Sequence, residues 1–189
     1  RRNMVSIGLR NILKLPWDLT ANLGYERAKS LERRLGELPT EDHVAYSGSL
    51  EYLPERPMKL AAKGEYGENS ATKRTNLTFG GDYRIGNDFS LLAKYLYAKD
   101  DAVATASYQT RHHLITGLAF RPVAVNWLNL VAKYELKQDN NHYLTPFDEY
   151  GASIVSAHAY LEPVRRIELG LKYAFRTARE YSPAFSART

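Results

Sequence analysis

The sequence predicts an all-β fold, an antiparallel up-and-down meander of about ten strands. Three observations predict it. Apolar and polar residues alternate with period two in run after run, the runs repeat a common phrase, and turn residues separate them in a short, long, short, long rhythm. The clearest run is Trp127 to Lys137. Leu128, Leu130, Ala132, Tyr134 and Leu136 share one parity; Asn129, Lys133, Glu135 and Lys137 share the other, with Val131 the one apolar interruption. Side chains alternate faces along a strand, so this is a ribbon with an apolar and a polar face. Wound as a helix, the same residues would scatter leucine and charge around the whole circumference.

The phrase recurs in Leu19 to Glu26, Leu60 to Tyr66, Phe89 to Ala98 and Ile167 to Arg176. Tyr25, Tyr66, Tyr95, Tyr134 and Tyr173 hold matching places, at spacings of 41, 29, 39 and 39 residues. A hairpin-sized unit with connections of varying length gives that spacing.

In chain order, Val5, Ile7 and Leu9 mark strand one, and Asn11 to Asp18 reads as a short turn around Pro16, which cannot donate to a ladder. Strand two is Leu19 to Arg27. A long polar connection, Ala28 to Asp42, follows; its Lys29 to Leu35 segment has room for one or two helical turns. Strand three is Val44 to Leu53, with a tight turn over Pro54 to Pro57. Strand four is Lys59 to Tyr66, and Gly67 to Arg74 reads as polar connection. Leu77 to Arg84 is strand five, Gly86-Asn87-Asp88 a hairpin turn, and Phe89 to Lys99 strand six. After Asp100 to Gln109, strand seven carries Leu114, Thr116, Leu118 and Phe120. Pro122 centres the turn into strand eight. The loop Gln138 to Gly151 leads to strand nine, Ser153 to Leu161, whose facing is ambiguous because His158 shares parity with Ile154 and Tyr160. Glu162 to Arg166 is a turn and Ile167 to Thr177 is strand ten.

The chain has 189 residues, 44% hydrophobic and 25% charged, with a net charge of +5 and no cysteine. Disulfides, zinc-thiolate sites and thiol nucleophiles are thereby excluded. Mean hydropathy is −0.46, and no run approaches the roughly 18 apolar residues of a membrane helix. A transmembrane barrel leaves no such trace, since its strands are apolar only at alternate positions. The basic balance does not predict nucleic-acid binding, because the charges are spread along alternating strands rather than clustered. Residue 1 is Arg and an alternating run starts almost at once, so the chain reads as processed or cut from something longer.

The distribution of side chains separates a barrel from a sandwich. Tyr52, Tyr83, Phe120 and Tyr160 sit by the short turns, and Tyr25, Tyr66, Tyr97, Tyr134 and Phe175 towards the long loops. Two aromatic rows bracketing an aliphatic band are the girdles of a membrane barrel, whereas a sandwich core places bulky aromatics mid-strand. The fold class is therefore a transmembrane β-barrel or a segment of a larger one. Lipid-facing positions are Leu91, Tyr95, Leu128, Leu130, Tyr134, Leu169, Leu171 and Tyr173. Lumen-facing positions are Lys63, Glu65, Lys94, Lys133, Glu135, Glu168, Lys172 and Arg176.

In this pattern the chain resembles bacterial outer-membrane β-barrel proteins over nearly all its length. Leu118-Ala119-Phe120-Arg121-Pro122 followed by Trp127-Leu128-Asn129-Leu130 resembles barrel strands of large multi-domain surface proteins. Gly170, Tyr173 and Phe175 are similar to the glycine and spaced aromatics of the terminal signal such barrels present to their insertion machinery. The resemblance implies a bacterial outer-membrane location and lipid as a partner, with further strands of the chain or partner subunits beside it. With short turns in the periplasm, both ends of the ten strands fall outside the cell, which predicts an interior piece of a barrel of at least 12 strands. With the turns reversed, a complete ten-stranded barrel is the alternative, and a ladder between strands one and ten distinguishes the two.

No nucleophile elbow, phosphate loop or dinucleotide fingerprint is present. The histidines, His43, His112, His113, His142 and His158, do not pair with a carboxylate at ligand spacing on one face, and read as loop or interface residues. Glu135 and Glu168 are expected to be ion-paired with Lys133 or Lys172 rather than catalytic, and Asp100-Asp101 and Asp139-Asn140-Asn141 to be solvated turns. No enzyme activity, cofactor, metal or nucleic-acid partner is expected. The expected function is an outer-membrane pore or passive channel wall for small hydrophilic solutes, with weak anion preference from the net positive charge. A structural anchor or export barrel for surface domains, and a soluble or fibrous β-protein, are the alternatives.

Overall fold

The computed structural model describes residues 4–30, 42–54, 57–103, 105–125, 127–142, 148–164 and 167–181. They form ten strands: β1 (Met4–Leu15), β2 (Leu19–Ser30), β3 (His43–Tyr52), β4 (Met58–Asn69), β5 (Thr72–Ile85), β6 (Phe89–Ala102), β7 (Ser107–Phe120), β8 (Leu128–Asn141), β9 (Asp148–Val164) and β10 (Ile167–Tyr181). They lie in a single sheet in chain order, each antiparallel to the next, as the alternation predicts. Among the described residues β1 pairs only with β2 and β10 only with β9, so no ladder joins the two outer strands.

The strands run further than the apolar pattern marks them. β1 continues through Asn11 to Leu15, and the reversal is confined to Pro16, Trp17 and Asp18. Trp17 and Asp18 take positive φ, 60° and 57°, which tightens the hairpin. The polar stretch Gly67 to Arg74, expected as a connection, belongs almost entirely to β4 and β5; only Ser70 and Ala71 lie between them. The Asn69 side-chain oxygen accepts from the backbone N–H of Ala71 (2.9 Å) and of Thr72 (2.6 Å) and closes that turn. β6 and β7 likewise absorb Asp100 to Ala102 and Ser107 to Gln109. The long connections expected after β4 and β6 therefore become short, whereas β2 and β3 remain separated by a long one, Ser30 to His43. Backbone pairing needs no apolar side chains, and the polar stretches extend the ladders past the apolar band. β9 passes through Pro163, which sits at a register shift opposite Ile167 to Leu169, where a residue without an N–H is tolerated. The helical turn expected over Lys29 to Leu35 lies outside the described residues, apart from Lys29 and Ser30, which are in β2.

No large side chain is fully buried among the described residues, and the buried apolar ones are Ala28, Pro122 and Ala152. Exposure is inverted relative to a water-soluble sheet. In β8, Leu130, Ala132, Tyr134 and Leu136 are exposed while Val131, Lys133, Glu135 and Lys137 are half-buried. In β5, Leu77, Phe79, Tyr83 and Ile85 are exposed while Asn76, Thr78, Asp82 and Arg84 are half-buried. In these two strands the polar face is the more enclosed one, whereas Lys63, Lys94, Glu168, Lys172 and Arg176 on β4, β6 and β10 are exposed.

Candidate functional site

The register fixes which residues share the polar face. Glu65 of β4 lies between Ser47 and Asn76, Lys94 of β6 between Gly80 and Ile115, and Lys133 of β8 between Gly117 and Ser156. Lys172 lies beside His158 and Arg176 beside Ile154. With Lys63, Glu135 and Glu168, all eight residues expected to line a lumen fall on one face. The eight expected to meet lipid fall on the other, as the pairs Leu91–Leu118, Tyr95–Leu114, Leu128–Leu161, Leu130–Ala159, Tyr134–Val155, Leu169–Leu161, Leu171–Ala159 and Tyr173–Ala157 show.

Strand β9 settles its own ambiguity. Val155, Ala157, Ala159 and Leu161 join the apolar face, and His158 and Tyr160 the polar one, because Tyr160 pairs with Asn129 and Gly170. Tyr160 thus leaves the short-turn aromatic row and hydrogen-bonds Glu168. Glu168 was expected to meet Lys172; the phenol takes it instead.

Two charge clusters organise the polar face. In the first, Glu135 accepts from Lys133 Nζ (2.6 Å) and lies 2.9 Å from His113 Nε2 and 3.7 Å from Lys137 Nζ. Its side chain is only 12% exposed, so one carboxylate serves three potential cations in an enclosed place. Although no histidine pairs with a carboxylate at ligand spacing in the sequence, His113 meets Glu135 across strands, as His43 does Glu26 at 3.7 Å. The partner of His113 is diagonal, on the next strand, and one strand's periodicity carries no cross-strand register. In the second cluster, Asp100 is gripped by Arg74 Nε (2.5 Å) and Arg111 Nη2 (2.6 Å), tying β5, β6 and β7 together. Asp100 is therefore a clamp rather than a solvated turn. Lys63 and Glu65 form a further pair at 2.6 Å. The Arg176 guanidinium hydrogen-bonds the Tyr150 hydroxyl and lies over its ring. Among the described residues no cluster of His, Asp and Glu has a metal-binding arrangement.

Between β1 and β5 the polar face opens into a cavity of about 660 Å³. Gly8, Gly24, Ala45, Ser47 and Gly67 form its floor, and Arg10, Glu26, Lys63, Glu65 and Arg74 rise around it. The single-strand patterns do not reveal it; the register aligns the small residues of four strands.

The apolar face carries two aromatic rows. Tyr25, Tyr46 and Tyr66 stand side by side, with ring centroids 5.3 and 6.5 Å apart. Tyr97 and His112 continue the row at 5.1 Å, and Tyr95 Oη lies 2.8 Å from His112 Nδ1. Phe89 and Phe120 pair at 4.6 Å near the short turns. Both rows shift towards the short turns across the ladder, the first in steps, since Tyr25, Tyr46 and Tyr66 are direct register partners, as are Tyr97 and His112. Followed through its partners, Tyr46 leads by Tyr66, Thr75, Lys99 and Thr110 to Asn140, whereas the aromatic of β8 is Tyr134, six positions nearer the short turns. Six residues at about 3.3 Å across five strand steps at about 4.8 Å is a slope of roughly 40°. Tyr52 leads by Leu60, Gly81 and Ala93 to Thr116, and Phe120 lies four positions further in the same direction, a slope of roughly 35°.

No family model matches the sequence, and no curated protein matches it. Among solved structures, the chain superposes on the siderophore receptor PirA from Pseudomonas aeruginosa with a TM-score of 0.65 at 13% identity, over 95% of this chain and 36% of that one. The ten-stranded meander thus has the fold of part of a β-barrel receptor. The chain spans about a third of the receptor's length.

Proposed function

We propose that the ten strands are consecutive staves in the wall of a bacterial outer-membrane barrel through which small hydrophilic solutes pass. The observation that carries this is the exposed apolar face bounded by two parallel, oblique aromatic rows. Their slope of roughly 35 to 40° is the tilt of strands in a membrane barrel, about 35–45°. A flat membrane boundary drawn across tilted strands produces such a slope. A sheet packed on another sheet has no reason to order its aromatics along two parallel lines, nor to leave Leu130, Leu171 and Phe175 exposed. On this reading Leu91, Tyr95, Leu128, Leu130, Tyr134, Leu169, Leu171 and Tyr173 meet lipid. Lys63, Glu65, Lys94, Lys133, Glu135, Glu168, Lys172 and Arg176 line the lumen. The outer edges of β1 and β10 cannot face hydrocarbon with unpaired N–H and C=O groups, so each takes up further wall, from the same chain or a partner subunit.

Two modes of passage fit this wall. A passive pore uses the mixed Lys and Glu lining to admit polar solutes. A receptor binds its solute before passing it, and the likeness in shape to a siderophore receptor favours this second mode. Planar-bilayer recording of the full chain separates them. Steady ohmic conductance supports the pore; absence of conductance with saturable solute binding supports the receptor. A stable water-soluble monomer without detergent overturns both.

A further inference from the structure

We propose that the cavity on the polar face of β1–β5 is a binding subsite for a small polyhydroxylated carboxylate, a sugar acid. The proposal rests on reading this face as the lumen. Two transverse rows build the site. One runs Arg10, Gly24, Ser47, Glu65 and Asn76, and the next Gly8, Glu26, Ala45, Gly67 and Arg74. Small residues coincide on β3, at Ser47 and Ala45, and Gly8, Gly24 and Gly67 flank them among Arg10, Glu26, Glu65 and Arg74, so the void follows from the register. Its volume of about 660 Å³ is that of a ligand pocket.

The charges are not equivalent. Lys63 is held by Glu65 at 2.6 Å and Arg74 by Asp100 at 2.5 Å. Glu26 has His43 at 3.7 Å. Arg10 has no ion-pair partner among the described residues and is exposed on the cavity rim. An incoming anion therefore meets Arg10, whose planar fork matches a carboxylate through two parallel hydrogen bonds. Gly24, the residue paired with Arg10, leaves space that the Ser47 hydroxyl enters: a Cβ at position 24 would lie 2.3 Å from Ser47 Oγ. Arg10 and Ser47 thus flank Gly24 in one transverse row. Around it stand Asn22, whose Nδ2 donates to Ser49 Oγ at 3.0 Å, and Asn76. These groups pair with ligand hydroxyls. Leu9, Leu23, Tyr25, Tyr46 and Tyr66 also border the cavity, but their side chains alternate to the opposite face of the sheet. A neutral sugar leaves Arg10 unused, and a plain short carboxylate leaves the hydroxyl and amide groups unused.

Calorimetry on the full chain in detergent micelles, with gluconate, glucose and propionate as probes, tests this. Gluconate is expected to bind saturably, and glucose and propionate about tenfold or more weakly. Arg10→Gln, an exposed position on an outer strand, is expected to weaken gluconate by about tenfold. Gly24→Ala, which displaces the Ser47 hydroxyl, is expected to weaken it several-fold. No gluconate binding at millimolar concentration, or equal binding to Arg10→Gln, overturns the subsite. The chain has no cysteine, so Ser47→Cys in vesicles provides one thiol. Labelling by a hydrophilic thiol reagent that gluconate slows supports the subsite. Labelling indifferent to gluconate overturns the subsite and leaves the lumen reading standing. A thiol that takes only a lipid-soluble reagent overturns the lumen reading itself.

Discussion

Leu130 and Glu135 lie on one strand, five positions apart, in opposite surroundings. Leu130 is exposed, while Glu135 is 12% exposed and held by Lys133 and His113. In a water-soluble domain the burial would be reversed. The contrast teaches that the sheet has no core of its own among the described residues. Its apolar side has no apolar cover among the described residues, and its polar side carries charge pairs within the protein. What holds each face is therefore different, and substitutions separate the two.

The largest effect is expected on the apolar face. Leu130→Arg or Leu171→Arg should destabilise the barrel in lipid by about 2 to 4 kcal/mol, the cost of a cation near the bilayer midplane. Denaturant unfolding in vesicles measures it. An equal loss on placing arginine at Lys133, which keeps the charge where one already exists, would break the distinction between the faces.

Next comes the Glu135 cluster. Glu135→Leu leaves Lys133, Lys137 and His113 facing one another without an anion, and should cost about 1 to 3 kcal/mol. Adding Lys133→Met should recover part of the loss, since it removes the repulsion that the first change exposes. If the double variant instead loses the sum of the two single losses, Glu135 and Lys133 do not act as one cluster.

A smaller loss is expected at Asp100. Asp100→Asn weakens a clamp whose arginines are largely exposed, 63% for Arg74 and 47% for Arg111, so solvent screens it and about 1 kcal/mol is expected. The change should be local. Amide exchange should quicken at the β5–β6–β7 ends near Arg74 and Arg111 and stay unaltered around Phe89 and Phe120. Uniform quickening would show that the clamp governs the whole sheet.

Period-two alternation was enough to read ten strands, their order and the division of charged from apolar side chains, because each of these is a property of one strand at a time. Strand ends do not follow from the alternation where polar ladders outrun the apolar band, as in Gly67 to Arg74. Tyr160 was misplaced because β9 alternates alanine and serine with His158, and small residues do not declare a face. The His113–Glu135 contact and the Arg10–Gly24–Ser47 row were invisible for one reason: both depend on register between strands. Register follows from turn geometry, such as the positive φ of Trp17 and Asp18, which side-chain alternation does not encode.

The smallest stability effect is expected at Lys172. It stands on the outer strand β10, exposed, beside His158, and makes no ion pair among the described residues. Lys172→Leu should change stability by no more than about 0.5 kcal/mol. Its consequence should appear in transport instead. If the polar face lines an open lumen, removing an uncompensated cation lowers the local positive potential and reduces anion preference, read as a shift of the reversal potential in a salt gradient. The same leucine is harmless to a lipid-facing surface but not to a charge-lined path. A changed stability with unchanged selectivity would therefore place Lys172 on the wrong side of the wall, and the contrast between Leu130 and Glu135 would have to be redrawn from β10 inwards.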